Sequence, residues 1–273
     1  MTLAAIPVSP VWLNLRERAD AAARSRELVS RLRPRLPAGA CLVIHDLGCG
    51  SGSMGRWLAP LLPGPQHWVL HDRDPDLLTL AEAGESAPVA DGSAVTVETR
   101  LSDVTWLGPD ELAGATLITA SALLDLLTAD ELVGLMRACA GAGCPVLLTL
   151  SVTGCVQLLP ADQLDARVAA AFDEHQRRVT PRGRLLGPDA VEAAADGFRR
   201  LGAEVIVRPS PWRLAAAETG LAVEWLAGWV DAACEQEPAL AADVRLYRRR
   251  RLREAEAGCL SVTVGHADLL VLP

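Results

Sequence analysis

Lysine is absent from this chain of 273 residues: all 26 basic residues are arginine. Whole chemistries leave with it. There is no amine for a pyridoxal Schiff base, no G-K-[ST] loop for nucleoside triphosphates and no lysine general base. Tyrosine occurs once, so a Tyr-x-x-x-Lys pair is out of reach. Metal motifs fail as well. No H-E-x-x-H is present, and Asp72-Arg73-Asp74-Pro75-Asp76 opens like a calcium loop until Leu77 takes the place of its glycine and Ala83 that of its glutamate. The seven cysteines have no C-x-x-C spacing, which suits a reduced cytoplasmic protein with buried thiols better than disulfides or zinc. No apolar run reaches the ~18–20 residues of a membrane span, and no charged n-region with a cleavage site opens the chain. The formal charge is −8, whereas polyanion binders usually carry a basic balance or stripe. The run Arg248-Arg249-Arg250-Arg251 reads as a solvated helix face, with RNA contact the alternative. Neither a nucleic acid nor a membrane is expected as a partner. The oligomeric state is open, a homodimer included.

What is present concentrates in residues 43–55, Val-Ile-His-Asp-Leu-Gly-Cys-Gly-Ser-Gly-Ser-Met-Gly. A short apolar run ends in an acid, glycines follow at alternate positions, and an apolar segment begins at Trp57. This is the grammar of a strand that turns tightly into a helix. Glycine permits positive φ and removes the Cβ that would hold a ligand off the backbone. The following helix start offers free N–H groups and a positive dipole end. Such a turn binds the nucleotide part of a cofactor.

Gly50 to Gly55 fit G-x-G-x-x-G, the dinucleotide fingerprint, a weak match alone. Asp46 shifts the balance, because an acid there suits a cofactor with a cationic aminoacyl end. Asp46-Leu47-Gly48-Cys49-Gly50-Ser51-Gly52 resembles the D-x-G-x-G-x-G signature of class I S-adenosylmethionine-dependent methyltransferases. The resemblance implies that cofactor, held at Asp46, Gly48, Cys49, Gly50 and Gly52. It is well carried over 42–151 and beyond that by topology alone. His67 to Asp72 form a second short strand ending in an acid. The resemblance makes Asp72 the ribose-binding residue, with Arg73 beside it; capping the next helix is the alternative. After a third strand at 95–98, Asp103 and Val104 fall at the adenine-contacting position, unless Asp103 is only a turn residue. Trp106 stacks on adenine or belongs to the core. At the end of strand four, Ala120 and Ser121 close over the sulfonium region. No N-P-P-Y tetrad follows, which argues against methylation of nucleobase amino groups. Asp125 is a substrate contact, a base or a helix cap.

Strands near 42–47, 67–72, 95–98, 116–120 and 145–151 alternate with helices, so the fold expected is α/β. It is a doubly wound, mostly parallel seven-stranded sheet with helices on both faces and the last strand antiparallel, plus helical cap insertions. The expected divisions are a helical arm at 1–38, a cofactor-binding core at 39–151, a cap insertion at 152–187, core again at 188–208, a helical cap at 209–258 and the last strand at 259–273. The arm is expected to be one helix from 11 to 36. In the family's topology both insertions leave the edge where ligands bind in open α/β sheets, and long insertions in compact domains tend to be functional. A small, enclosed acceptor is therefore expected.

Candidates for chemistry on that acceptor sit in the insertions. His175 is a possible general base, its ordinary pKa being near neutrality, with Asp173 and Gln176 as helical neighbours; a solvated helix face is the alternative. Trp212 is a pocket wall or a core anchor, and the same choice holds for Trp225 and Trp229, four residues apart. His266, inside the last strand, faces the pocket or is a satisfied buried histidine. The function read here is methyl transfer to a small-molecule acceptor. The rivals are an NAD(P)-dependent oxidoreductase using the Gly50–Gly55 turn, and a non-catalytic S-adenosylmethionine-binding protein.

Overall fold

Strand β1 (Leu42–Leu47) is buried along almost its whole length, the pattern of a strand covered on both faces. Parallel neighbours β2 (Gln66–Asp72) and β4 (Leu117–Ser121) flank it, and β3 (Val95–Leu101) pairs outside β2. The chain is described by a computed structural model covering residues 8–84, 89 and 91–273. Beyond β4 come β5 (Val146–Leu159), β10 (Ser261–Leu272) and β8 (Glu204–Pro209), giving the order β3-β2-β1-β4-β5-β10-β8 with β10 antiparallel to both neighbours. This is the expected doubly wound sheet. One short strand, β9 (Trp212–Leu214), adds to it on the free edge of β10, and β6 (Val179–Thr180) with β7 (Gly183–Arg184) form a separate hairpin. Strand order reverses between β1 and β4, and ligands bind at the carboxyl ends of the strands at such a switch point.

One face of the sheet packs against α5 (Ala129–Ala142) and α7 (Ala190–Arg200), around Leu135, Met136 and Phe198. A capping box starts α5, with Thr128 and Glu131 each satisfying the other's backbone N–H. The opposite face packs against α2 (Arg26–Leu32), α3 (Ser53–Leu58) and α4 (Pro75–Ala83), around Leu28, Trp57 and Trp68. A third core joins α6 (Asp165–Gln176), α8 (Thr219–Gln236) and α9 (Ala241–Glu256) to the outer halves of β5 and β10, through Leu158, Trp229, Tyr247 and Val262. The caps stand on these outer halves. β5 does not end near 151 as the sequence suggests; it runs on unbroken to Leu159 and carries the cap.

The arm is not one helix. α1 (Pro10–Ala23) ends at Arg24, whose ψ of 136° leaves the helical region, and α2 restarts under an N-cap from Ser25. The break has two physical causes. The Arg24 side chain turns inward to bond Ser53 and Ser121, and the Ser25 N–H is taken by Asp268 of β10 at 2.7 Å. Asp268 is fully buried and also accepts from the Leu150 N–H at 2.8 Å and the Ser210 hydroxyl at 2.5 Å. One carboxylate thus ties the arm, β5 and the loop before β9 together. Buried polar groups are stable only when bonded in this way.

Candidate functional site

The glycine turn follows β1 as expected. Gly50 has φ +54° and its N–H donates to Asp72 Oδ2 at 2.8 Å. A Cβ built on Gly50 meets only Leu13, at 3.4 Å, so the space beside this backbone is open for a ligand. Gly52 differs. Its φ is +82°, but its missing Cβ faces Ala81 and Arg56, both at 3.3 Å. Gly52 allows the turn into α3 and close packing on α4, and it does not line the cavity described next.

That cavity has a volume of about 810 Å³ and lies over the carboxyl ends of β1, β2 and β4. It is at the upper end of the ~300–1,000 Å³ typical of small-molecule sites. Asp46, Gly48, Cys49, Gly50, Asp72, Arg73, Asp103, Val104 and Ser121 line one half. Asp46 is buried, its Oδ1 accepts from the Thr119 hydroxyl at 2.7 Å, and its Oδ2 has no partner among the described residues. Burial pushes its carboxyl up to about 7. An orphaned carboxylate oxygen in a cavity wall calls for a cationic or donor group from a ligand. Asp72 is held in place by the Gly50 and Asp74 N–H groups. Asp103 Oδ1 caps a short turn through the Thr105 N–H and hydroxyl. The Cys49 thiol is buried and pushed upward by desolvation, so it stays protonated. Ala120 is buried in β4 without reaching the cavity. Trp106 does neither of the two things expected of it; it is 84% exposed.

The second half of the cavity is largely aromatic and aliphatic. Trp12, Phe172, Trp212 and Trp225 line it with Leu126, Val152 and Val264. Trp212 is both buried and a wall, and its Nε1 donates to Asp20 at 2.9 Å. Trp225 stacks on Trp229 at 5.1 Å, with Trp225 at the wall and Trp229 in the core behind it. His266 reaches the cavity with its ring 5.1 Å from that of Trp212. Its Nδ1 lies 3.0 Å from the Val264 carbonyl, which can only accept. Nδ1 therefore carries the proton and Nε2 keeps its lone pair. Desolvation, with Arg16 nearby, lowers its pKa to about 4, so the ring is neutral at pH 7. Asp125 lines the same half, and burial raises its carboxyl above the usual range.

Three expected acceptor residues are not brought here. His175 lies outside the cavity, its Nε2 3.0 Å from Glu235 of α8. Asp173, on the same helix, lies against Gly154 of β5, where burial raises it to about 6. Gln176 packs on Gly187. Phe172 is the residue of α6 that lines the cavity; His175 and Gln176 share its face but lie one turn further along, at the end of the helix, where they meet Glu235 and Gly187 instead, and Asp173 points to another face. Residues the sequence did not single out take their place. α1 contributes Trp12, Leu13, Arg16 and Asp20. Glu17 straps that helix to α3 by a two-pronged pair with Arg56, which also donates to the Ser51 carbonyl of the glycine turn.

No protein-family model and no curated protein matches the sequence. Solved structures do. A cyclopropane synthase from Mycobacterium tuberculosis aligns with a TM-score of 0.51 at 12% identity, over 97% of this chain and 95% of that one. A SAM-dependent methyltransferase from Thiobacillus denitrificans, solved with S-adenosyl-L-homocysteine, aligns over 98% of this chain and 100% of its own, at 15% identity and a TM-score of 0.47. The fold, with its parallel-dominated sheet and antiparallel last strand, is shared with that synthase. Among the described residues, no helix is long and apolar enough to cross a membrane.

Proposed function

We propose that this chain is an S-adenosylmethionine-dependent methyltransferase acting on a small-molecule acceptor in the cytoplasm. The observation that carries the reading is Asp46, buried at the end of β1 with one oxygen unpaired, in the wall of the cavity that Asp72 and Gly50 also line. A nicotinamide dinucleotide would bring a pyrophosphate to this turn, and a carboxylate there would repel it. A cationic aminoacyl end satisfies it. All seven cysteines are free thiols, in keeping with a reducing compartment.

The residues fit the group. Asp46 would hold the cofactor's ammonium through its unpaired oxygen, Asp72 would hold the ribose hydroxyls with its remaining lone pairs, and Asp103 with Val104 would border the adenine. When bound, this cofactor supplies an electrophilic methyl group on sulfur. The protein's part is then to hold a nucleophile in line with that methyl, near contact, and to keep water out. Trp12, Trp212 and Trp225 shape and dry the acceptor half. His266 orients the acceptor by accepting a hydrogen bond at Nε2. With a pKa of about 4 it is a weak base, and catalysis here rests on positioning more than on proton removal. Asp125 is the second polar contact on the acceptor.

Calorimetry with S-adenosylhomocysteine, NAD and NADP tests the reading. Binding of S-adenosylhomocysteine alone is expected. Asp72→Ala is expected to lose about 1.5–3 kcal/mol of affinity, as for a hydrogen bond to a charged group. Tight NAD binding, or unchanged affinity in Asp72→Ala, overturns it.

A further inference from the structure

Arg16 of α1 is a donor in the acceptor half with unused hydrogen-bonding capacity of fixed direction. Three contacts lock it. Its Nε donates to Asp20 Oδ2 at 2.9 Å. The other oxygen of that carboxylate is taken by Trp212 Nε1, at 2.9 Å. The guanidinium lies over the Trp212 ring at 5.1 Å from its centre. A guanidinium stacks by its face and bonds by its edge. Here the face and the Nε are engaged, while both terminal amino groups donate to no protein atom among the described residues. Its side chain is only 14% exposed, and Arg16 lines the cavity. Asp20 is itself nearly buried and spent on Arg16 and Trp212. Trp12, Trp212 and Trp225 provide flat apolar surface around this edge.

We infer that Arg16 reads a carboxylate on the acceptor, so that the methyl acceptor is an organic acid with an aromatic or apolar body. This rests on the reading of the cavity as a cofactor-and-acceptor site. Two parallel N–H groups match the two oxygens of a carboxylate, which is the strong, directional form of this bond. The surroundings do not oppose an anion. His266 presents a neutral ring, Asp20 is spent on Arg16 and Trp212, and burial holds Asp125 toward the neutral form. A carboxylate gripped by both oxygens is a handle, with its lone pairs engaged. The methyl-accepting atom therefore belongs elsewhere on the molecule, within reach of His266 Nε2.

The test is calorimetric titration of the full-length protein, with and without S-adenosylhomocysteine, using benzoate, naphthoate and hexanoate, each against its own amide. The acid is expected to bind at least about tenfold more tightly than the amide, the low end for a hydrogen bond to a charged group. Arg16→Gln is expected to erase that difference while S-adenosylhomocysteine affinity stays at the wild-type value. Arg16→Lys keeps the charge without the fork and is expected to retain part of the preference, which separates recognition from any loss of folding in Arg16→Gln. Equal binding of acids and amides, no binding of any acid at millimolar concentration, or a full acid preference in Arg16→Gln overturns the inference. Failure of S-adenosylhomocysteine to bind, by contrast, strikes the cofactor reading.

Discussion

On the proposed reading, Asp46 is expected to couple cofactor binding to pH. Its carboxyl holds one hydrogen bond from Thr119, and burial pushes it up to about 7. A cofactor ammonium beside Oδ2 favours the ionised form, so binding must expel the proton wherever Asp46 still carries it. With a pKa of about 7, some 3% of the free protein is ionised at pH 5.5 and some 75% at pH 7.5. If only the ionised form binds well, affinity rises about 25-fold across that window, or about 1.9 kcal/mol at 1.36 kcal/mol per tenfold change. A carboxylate stabilised by ion pairing, whose pKa lies below this range, would leave affinity flat here. Titration calorimetry with S-adenosylhomocysteine at pH 5.5, 6.5 and 7.5, in buffers of different ionisation enthalpy, reads both the affinity and the proton release. Asp46→Asn keeps an oxygen for Thr119 and removes the titration, so it should bind weakly and with no pH slope. A wild-type affinity that is flat over this window, with no proton released, refutes the reasoning.

Three further outcomes are expected. Gly50→Val must place a branched side chain at φ +54° in the cofactor half of the cavity; S-adenosylhomocysteine binding should fall at least about 100-fold in calorimetry, beyond the roughly 1–3 kcal/mol of backbone strain seen in thermal unfolding. The buried pair His45 and His71, 3.0 Å apart, and His266 are all lowered to about 4 by burial; their ring nitrogen shifts in NMR should remain those of neutral imidazole from pH 7 to 5, and a midpoint near 6.5 contradicts this. Since unfolded imidazoles take up protons below about 6.5, each ring's contribution to stability is present above that pH and lost as it falls toward 4, while Asp46, raised, acts in the opposite sense across about 4 to 7. Asp268→Ala strands the Ser25 and Leu150 N–H groups at about 1–3 kcal/mol for each unsatisfied donor; the melting temperature should drop by roughly 3–10 °C for a chain of this length, and a drop of under 2 °C by calorimetry would remove Asp268 from its role as the tie between arm and sheet.

The parts of the site legible in the sequence are those made by contiguous residues. Asp46, Gly50 and Asp72 each sit at the end of a strand whose apolar run is visible, and strand-turn-helix geometry carries them to one place. The acceptor half is made by contacts between distant segments. Arg16 and Asp20 are an ordinary i,i+4 pair, but nothing local says that Asp20 meets Trp212 across 192 positions, or that Asp268 reaches back 243 positions to Ser25. The two arginines that bend the arm and strap it, Arg24 and Arg56, look like ordinary surface charges in sequence. Position along a helix misled in the other direction. His175 has suitable chemistry and shares a face with the wall residue Phe172, three residues before it, yet it lies one turn further on, where it meets Glu235 outside the cavity. Ordinary amphipathic spacing identifies a buried face without saying whether core or cavity lies beneath it.

β5 and β10 pass from the sheet core into the cap, paired from Val146↔Val271 out to Leu159↔Ser261 with two register shifts, between Ala267 and Leu269 and between Val264 and His266. Cap and core thus share two strands, and the irregular stretch between them is where this shared ladder is weakest. The arm is built differently, joined to the body chiefly through side chains, Glu17 to Arg56, Arg24 to Ser53 and Ser121, and the Ser25 N–H to Asp268. Loosening the arm would break these side-chain contacts and leave the sheet ladder intact. On the reading proposed above, the same helix carries Arg16 to the acceptor, so those few ties also set how firmly the carboxylate-reading edge is held.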